Sequence, residues 1–120
     1  MATTFASTAP SRRRLSLDEP PIEADPTSSH PELGGGYIAY SASGTATGQV
    51  VYVNYGLPPD YEELRKLGVS VKDRIVVARY GRSHRAVKAH TAEQAGARAL
   101  ILYSDPADDG KAKGPAWPEG

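Results

Sequence analysis

The sequence predicts a mixed α+β domain in which three strands alternate with two helices. Three short apolar runs are rich in β-branched or aromatic residues and are separated by turn signals, as strands are. These runs are Val50–Asn54, Arg74–Tyr80 and Ala99–Ser104. The middle run contains the continuously apolar stretch Ile75–Ala78, where a half-exposed strand would alternate with polar residues. We therefore expect a strand that is covered on both faces and parallel to its neighbours.

Helix punctuation marks the segment Pro58–Gly68, between the first two predicted strands. Prolines stand at its entrance, acidic residues come early, basic residues come late, and a glycine supplies the stop. Tyr61, Leu64 and Leu67 recur about one turn apart, so we expect these three residues to form the buried face of the helix.

A second helix is predicted at His84–Ala95, which contains neither Gly nor Pro and is followed by a stop at Gly96. Ala89, Ala92 and Gly96 would give it a small-residue face that packs closely against the sheet. Ser83 stands directly before the helix and is expected to cap it. The connections between the predicted parallel strands are expected to be right-handed crossovers.

Composition divides the chain at residue 37. Residues 1–36 are rich in Ala, Ser, Thr and Pro, carry few large apolar side chains, and end in three glycines. Such a segment cannot bury enough surface to offset its ordering entropy, so we expect a flexible lead-in. Residues 37–120 form the predicted domain. We expect this domain to be incomplete at its C-terminal end, because the composition after Asp108 returns to Gly, Lys and Pro.

An incomplete domain would leave apolar surface uncovered and would be marginally stable or prone to associate. The candidates for that surface are Tyr37, Leu100, Leu102 and Trp117.

Composition also argues against several functional classes. The 14 Lys and Arg residues balance 14 Asp and Glu residues, so no global basic field would attract nucleic acid or an anionic membrane. No stretch approaches the roughly 20 apolar residues that span a bilayer. The chain has no cysteine, and its histidines, His30, His84 and His90, lack the spacing of a metal site. We therefore predict that the isolated chain holds no cofactor and is catalytically inactive.

One group of residues favours ligand binding. The second predicted strand runs into Gly81–Arg85 and then into a helix, so Arg82 and Arg85 stand where backbone N–H groups and the helix dipole favour an anion. An arginine holds a carboxylate with two parallel hydrogen bonds. From residue types alone, two ordinary surface arginines remain the alternative interpretation.

Three blocks of sequence, in this order, resemble the protease-associated domain of the glutamate carboxypeptidase and transferrin-receptor family. The blocks are Val50–Gly56, Lys72–Gly81 and Ala92–Asp108, and the similar stretch covers roughly residues 37–120. The resemblance implies a β-rich, sandwich-like α+β accessory domain without catalytic residues. It also implies that this domain forms one wall of the substrate cavity of a zinc exopeptidase.

In the carboxypeptidase branch of that family, the resemblance implies that Arg85 binds the terminal carboxylate of the substrate and that His84 lines the same cavity. The family commonly follows this arginine with Gly, whereas this chain has Ala86. We expect alanine at this position to stiffen the turn or to narrow the pocket.

The partners and cofactor follow from the same resemblance. Zinc is expected only in a peptidase domain of the same or a companion chain, which would act on peptide substrates with a free carboxylate. A homodimer of the parent protein and an extracytoplasmic location are compatible with the resemblance. The receptor branch offers the alternative function, a protein–protein interaction module, and a free-standing binder of small anions is a third. The substrate of the parent enzyme stays open.

Overall fold

The computed structural model of the chain describes residues 5–7, 10–16, 20–33, 39–108 and 113–114, and it divides into two compact units, residues 1–43 and 44–120. In the first unit, β1 (Phe5–Ser7) pairs antiparallel with β2 (Arg13–Leu15), and a 3₁₀ helix covers Pro26–Ser29. The side chains described between Ala6 and Leu33 are exposed or half-buried, so they form no apolar core. The predicted division of the chain at residue 37 stays a prediction.

The described residues of the second unit form a three-stranded parallel sheet and two helices. Its elements are β3 (Val50–Tyr52), α1 (Pro58–Lys66), β4 (Ile75–Arg79), α2 (Arg85–Gln94) and β5 (Ala99–Tyr103). The strand order is β3-β4-β5, and both neighbouring pairs are parallel. The mixed α+β class and the alternation of strands and helices are confirmed, and each element lies inside its predicted range.

One face of the sheet packs against both helices and forms the core. Val53, Val76 and Ala78 are almost fully buried on this face, together with Tyr61 of α1 and Ala92 of α2. Burying an aliphatic side chain of this size is worth roughly 1.5–3 kcal/mol. The helix-covered face therefore supplies most of the apolar stabilisation of the unit.

We expect Val76→Ala to lower the free energy of unfolding by about 2 kcal/mol, because the change removes two buried methyl-sized groups and leaves a cavity. Val76 is 0% exposed. Val50→Ala is the matched control on the neighbouring strand, since Val50 is 63% exposed and its truncation should cost about 0.5 kcal/mol or less. Urea denaturation of both variants measures the difference, and equal losses would show that the core does not lie on the helix-covered face.

The opposite face of the sheet is apolar, yet no described helix packs on it. The strand register assigns to this face Val50, Tyr52, Ile75, Val77, Ala99 and Ile101. Val50 and Tyr52 are 63% and 50% exposed, whereas Ile75 and Val77 are half-buried. Among the described residues, the predicted covering of β4 on both faces is thus seen on one face only, because α1 and α2 contact the same side of the sheet.

Two predictions about the helices need correction. Leu67 is 75% exposed rather than buried, because it is the residue that ends α1 and points away from the core contacts of Tyr61 and Leu64. In the predicted small-residue face of α2, Ala92 is buried but Ala89 is exposed, since the side chains that meet the sheet are Ala92 and, one turn earlier, Lys88. A charged residue is thus buried on the face of α2 that meets the sheet.

We expect the 120-residue chain to self-associate as its concentration rises, because the apolar surface that Val50 and Tyr52 expose on the open sheet face favours burial against another surface. Leu100 and Leu102 do not belong to this surface, because they pack against the core cluster, and Tyr37 and Trp117 lie outside the described residues.

The variant Tyr52→Lys places a charge on the open face and should restore the monomer. Leu67→Lys is its control, because Leu67 is more exposed than Tyr52 but stands apart from the sheet. Sedimentation velocity over a range of concentrations measures the association. A wild-type chain that stays monomeric throughout, or one that responds alike to both variants, would contradict this prediction.

Candidate functional site

The candidate carboxylate site lies in the loop that joins β4 to α2. Two consecutive residues turn the chain there with left-handed backbone, Gly81 at φ 103° and Arg82 at φ 61°. A Cβ atom at residue 81 would stand 3.2 Å from Cε1 of Tyr55, so a side chain there would press on that ring in addition to straining the backbone. α2 begins three residues after this turn, at Arg85.

His84 is the N-cap of α2. Its backbone is extended, and its Nδ1 accepts a hydrogen bond from the N–H of Ala86 at 3.2 Å. The hydroxyl of Ser83 instead donates to the carbonyl of His84 at 3.0 Å. The prediction that Ser83 caps the helix is therefore wrong, because the side chain that reaches the first turn belongs to the next residue. With Nδ1 accepting, the neutral imidazole carries its proton on Nε2.

The side chain of Arg85 is exposed and forms no hydrogen bond or ion pair with a described residue. Arg82 also lacks a carboxylate partner among those residues, but its guanidinium carbon lies 4.3 Å from the centroid of the Tyr55 ring. The structure thus places His84 and Arg85 side by side at the start of α2, while Arg82 turns back over the sheet edge.

A charged cluster at the carboxyl edge of the sheet supports this loop. The guanidinium carbon of Arg79 lies 4.0 Å from the Tyr55 ring centroid, and its Nη1 lies 3.2 Å from Asp108 and 3.6 Å from Asp105. The Tyr55 hydroxyl donates to the Asp108 carboxylate at 2.9 and 3.0 Å. This hydrogen bond, together with burial, raises the pKa of Tyr55. The ring stays neutral and holds both arginines by cation–π contact.

Hydrogen bonds keep the carboxylate of Asp105 ionised in this cluster. It accepts the N–H of Ala107 at 2.9 Å and the hydroxyl of Tyr103 at 2.8 Å. Those bonds, with the charge of Arg79, hold the pKa of Asp105 below its ordinary value. Asp105 and Asp108 both pair with Arg79, so a cation already balances their negative charge.

Asn54 connects the cluster to α1. Its Oδ1 accepts from Nε of Arg79 at 3.1 Å, and its Nδ2 donates to Asp60 at 2.8 Å. The second oxygen of Asp60 accepts the N–H of Leu57 at 2.9 Å and so caps the start of the helix. Sequence reasoning missed these residues. The available signal was that polar residues stand at or just after the end of each predicted strand, and the carboxyl ends of parallel strands meet at one edge.

Lys88 lies beneath the loop and, within the part of the chain that the structure describes, is the one buried charged residue, at 0% exposure. Its ammonium donates to the carbonyl of Tyr55 at 2.5 Å and to that of Gly81 at 2.8 Å, and it lies 5.5 Å from the Tyr55 ring centroid. Burial lowers the pKa of Lys88, and the charge of Asp60 opposes that shift. This residue was also missed, because a lysine in a helical segment usually indicates a solvated face.

The family model of the PA domain matches residues 46–119. The chain belongs to the PA domain family. It is 43% identical over 95 residues, 79% of this chain, to "Probable glutamate carboxypeptidase" of Arthroderma benhamiae. It is also 43% identical over 75 residues, 62% of this chain, to "Glutamate carboxypeptidase 2 homolog" of Caenorhabditis elegans. To "Transferrin receptor protein 1" of Gallus gallus it is 43% identical over 68 residues, 57% of this chain.

The predicted resemblance to PA domains of glutamate carboxypeptidase-like and transferrin-receptor proteins is therefore confirmed. The chain matches only a small part of each relative, namely 13%, 10% and 9% of the lengths of the three named above. What those whole proteins do is thus a separate question from what this PA domain contributes.

The PA domain's described residues contain no group of three or more His, Cys, Asp or Glu side chains that could hold a metal ion. Over the same residues, no helix has the length and apolar character needed to cross a membrane.

A groove of about 800 Å³ lies between α1 and α2 but does not include the candidate site. Tyr61, Arg65, His90 and Gln94 are among its lining residues, whereas His84 and Arg85 are not. The hydroxyl of Tyr61 is buried and has no described hydrogen-bond partner, and burial raises the pKa of Tyr61 to about 12.

Proposed function

We propose that this PA domain forms part of the substrate-cavity wall of a glutamate carboxypeptidase-like peptidase, and that Arg85 binds the terminal carboxylate of the substrate. The observation that carries the proposal is an exposed guanidinium at the first residue of α2 with no described ion-pair partner. Two relatives are named as glutamate carboxypeptidases, and a C-terminal glutamate carries a free carboxylate.

The surrounding charges favour an anion at this position. Asp105 and Asp108 are engaged by Arg79, so they do not neutralise Arg85. Arg82 adds a second guanidinium to the same loop. The start of α2 contributes its dipole, which favours negative charge by about 0.3–1 kcal/mol at an exposed site.

His84 stands directly before Arg85, and we include it in the cavity lining. Its cap to Ala86 fixes the ring through Nδ1, which leaves Nε2–H free to donate to a bound peptide. The ring also supplies a flat apolar surface beside the guanidinium, which suits the aliphatic part of a substrate side chain.

The proposal assigns binding to this domain and bond cleavage to another. Zinc hydrolysis needs three protein ligands and an open coordination position. We assign those ligands to a peptidase domain, on the same or a companion chain, that meets this PA domain across the substrate. The parent protein could act as a homodimer under this arrangement. Arg85 then orients the peptide, and contributes to affinity more than to the chemical step.

An interaction module is the second candidate function. The similarity to "Transferrin receptor protein 1" and the open sheet face with Val50 and Tyr52 favour it. The two functions use different surfaces, because the sheet face is formed by β3, β4 and β5 whereas Arg85 stands at the start of α2.

A grafted peptidase separates the two functions. The grafted peptidase is a complete glutamate carboxypeptidase-like relative in which residues 46–119 of this chain replace the corresponding segment. Inhibition is measured with a dipeptide ending in glutamate, with its terminal carboxylate either free or amidated. The cavity-wall proposal expects a preference for the free acid that disappears in Arg85→Ala and survives in Tyr52→Lys. The interaction-module function expects the preference to be independent of Arg85.

A further inference from the structure

Lys88 closes the loop that carries the candidate site. It stands on α2, three residues after Arg85, and its ammonium reaches back to the carbonyl of Gly81 at 2.8 Å. This hydrogen bond links the two ends of the segment 81–88, which contains Arg82, His84 and Arg85. The conformation of the whole loop is thereby tied to one side chain.

The second hydrogen bond of Lys88 anchors this closed loop to the sheet. The carbonyl of Tyr55 follows β3, whereas that of Gly81 follows β4, so one ammonium joins the carboxyl ends of two neighbouring strands to α2. The surrounding packing is tight. A Cβ atom at Gly56 would lie 3.1 Å from Cβ of Ala78 and 3.7 Å from Cβ of Lys88. Gly56 therefore leaves no spare room for a side chain between β4 and the start of the Lys88 side chain.

Burying the ammonium of Lys88 costs desolvation free energy, and the need to fill this space does not by itself require a charged residue. No described carboxylate lies within ion-pair distance of its ammonium, so backbone carbonyls and the Tyr55 ring hold the charge. An apolar side chain of similar length would fill the same space without burying an ammonium. Such a residue would not hold the two carbonyls. Lys88 therefore supplies what an apolar residue cannot, namely hydrogen bonds to the carbonyls of Tyr55 and Gly81.

We propose that Lys88 is a positioning residue that pre-organises the start of α2 for carboxylate binding. This inference rests on the proposed role of Arg85. With the Gly81 carbonyl released, the loop gains conformations that must be lost again when a carboxylate binds, and this cost weakens binding. Lys88 itself, being fully buried, does not touch the ligand.

A double-mutant cycle in the grafted peptidase tests this role. Lys88→Met keeps an unbranched side chain of nearly the same length but cannot donate to the carbonyls. We expect it to weaken inhibition by the free-acid dipeptide about tenfold, with the amidated dipeptide and kcat little changed. In the Arg85→Ala background the same change should have no further effect on binding. Lys66→Met, on the exposed side of α1, is the matched control and should be neutral.

A merely structural role predicts a different pattern, in which Lys88→Met lowers kcat and weakens the free and amidated dipeptides alike. Additive effects of Lys88→Met and Arg85→Ala would likewise overturn the proposal. If Arg85→Ala leaves the preference for the free acid intact, the proposed function fails, and this outcome is visible independently of Lys88.

Hydrogen exchange in the full 120-residue chain tests the loop itself without a ligand. We expect the backbone amides of residues 82–85 to exchange at least about tenfold faster in Lys88→Met than in the wild type. Unchanged exchange would overturn the Lys88 proposal without affecting the proposed role of Arg85.

If Lys88→Met does not fold, NMR of the Lys88 ammonium in the wild-type chain tests the proposal instead. Slow exchange of its protons, with a shift on adding the free-acid dipeptide, supports the proposal. Exchange as fast as that of Lys66 overturns it.

Discussion

Lys88→Ala is expected to lower the free energy of unfolding by about 3 kcal/mol or more. A hydrogen bond to a charged group is worth roughly 1.5–3 kcal/mol, and Lys88 donates two of them to backbone carbonyls. The truncation also leaves a cavity where the side chain was fully buried. The desolvation cost of the ammonium is recovered, which offsets part of this loss. For a small domain held by about 5–15 kcal/mol, the change is large.

Two further variants separate the sources of the effect, and urea denaturation measures all three. Lys66→Ala removes an exposed lysine of α1 that pairs with Glu63 at 2.6 Å, and such surface pairs are worth about 1 kcal/mol or less. Lys88→Met keeps most of the volume and loses the ammonium with its hydrogen bonds, so its stability should lie between those of Lys88→Ala and the wild type. If Lys88→Ala were as stable as Lys66→Ala, the two buried hydrogen bonds of Lys88 would contribute nothing measurable to stability.

Arg85→Ala is expected to weaken binding of a free-acid peptide to the grafted peptidase about 10- to 150-fold. The estimate follows from a charged hydrogen bond of roughly 1.5–3 kcal/mol and about 1.4 kcal/mol for each factor of ten in affinity. The effect should appear mainly in KM, because the terminal carboxylate undergoes no bond change in the reaction and is expected to be held equally in the ground and transition states.

Arg85→Lys keeps the charge but loses the planar fork, so it should recover only part of the affinity. Arg82→Ala is the control for local charge. It removes a guanidinium from the same loop, but that group lies over the Tyr55 ring, so the expected change in KM is small. Steady-state kinetics of the three variants measure these effects. Equal losses for Arg82→Ala and Arg85→Ala would indicate a diffuse positive field instead of a specific carboxylate contact.

The sequence was sufficient for the order of elements in the second unit, because hydrophobic runs, prolines and glycines act locally. Tyr61 was correctly assigned to the core by its helical spacing, whereas Leu67 was not, since spacing alone does not show where a helix ends against its sheet. The predicted cap of α2 was also wrong by one residue, because sequence alone does not show the turn geometry. Ser83 and His84 both carry a possible acceptor, and the turn geometry decides between them.

The support of the candidate site could not be predicted, because its contacts join distant parts of the chain. Tyr55 and Asp108 are 53 residues apart, and Asn54 and Arg79 are 25 apart. Lys88 reaches Tyr55 across 33 residues. Each of these polar side chains is of a type that commonly lies on a solvated surface. Only the parallel register of β3, β4 and β5 brings the strand ends that carry them to one edge of the sheet.

The most direct measurement of the carboxylate hypothesis is the ratio of the inhibition constants of the free and amidated dipeptides, determined for the wild-type grafted peptidase and for Arg85→Ala. The hypothesis predicts that the wild type prefers the free acid by about tenfold or more, and that Arg85→Ala binds both dipeptides nearly equally. An unchanged preference in Arg85→Ala would contradict it, and the open sheet face would then become the candidate surface for the function of this domain.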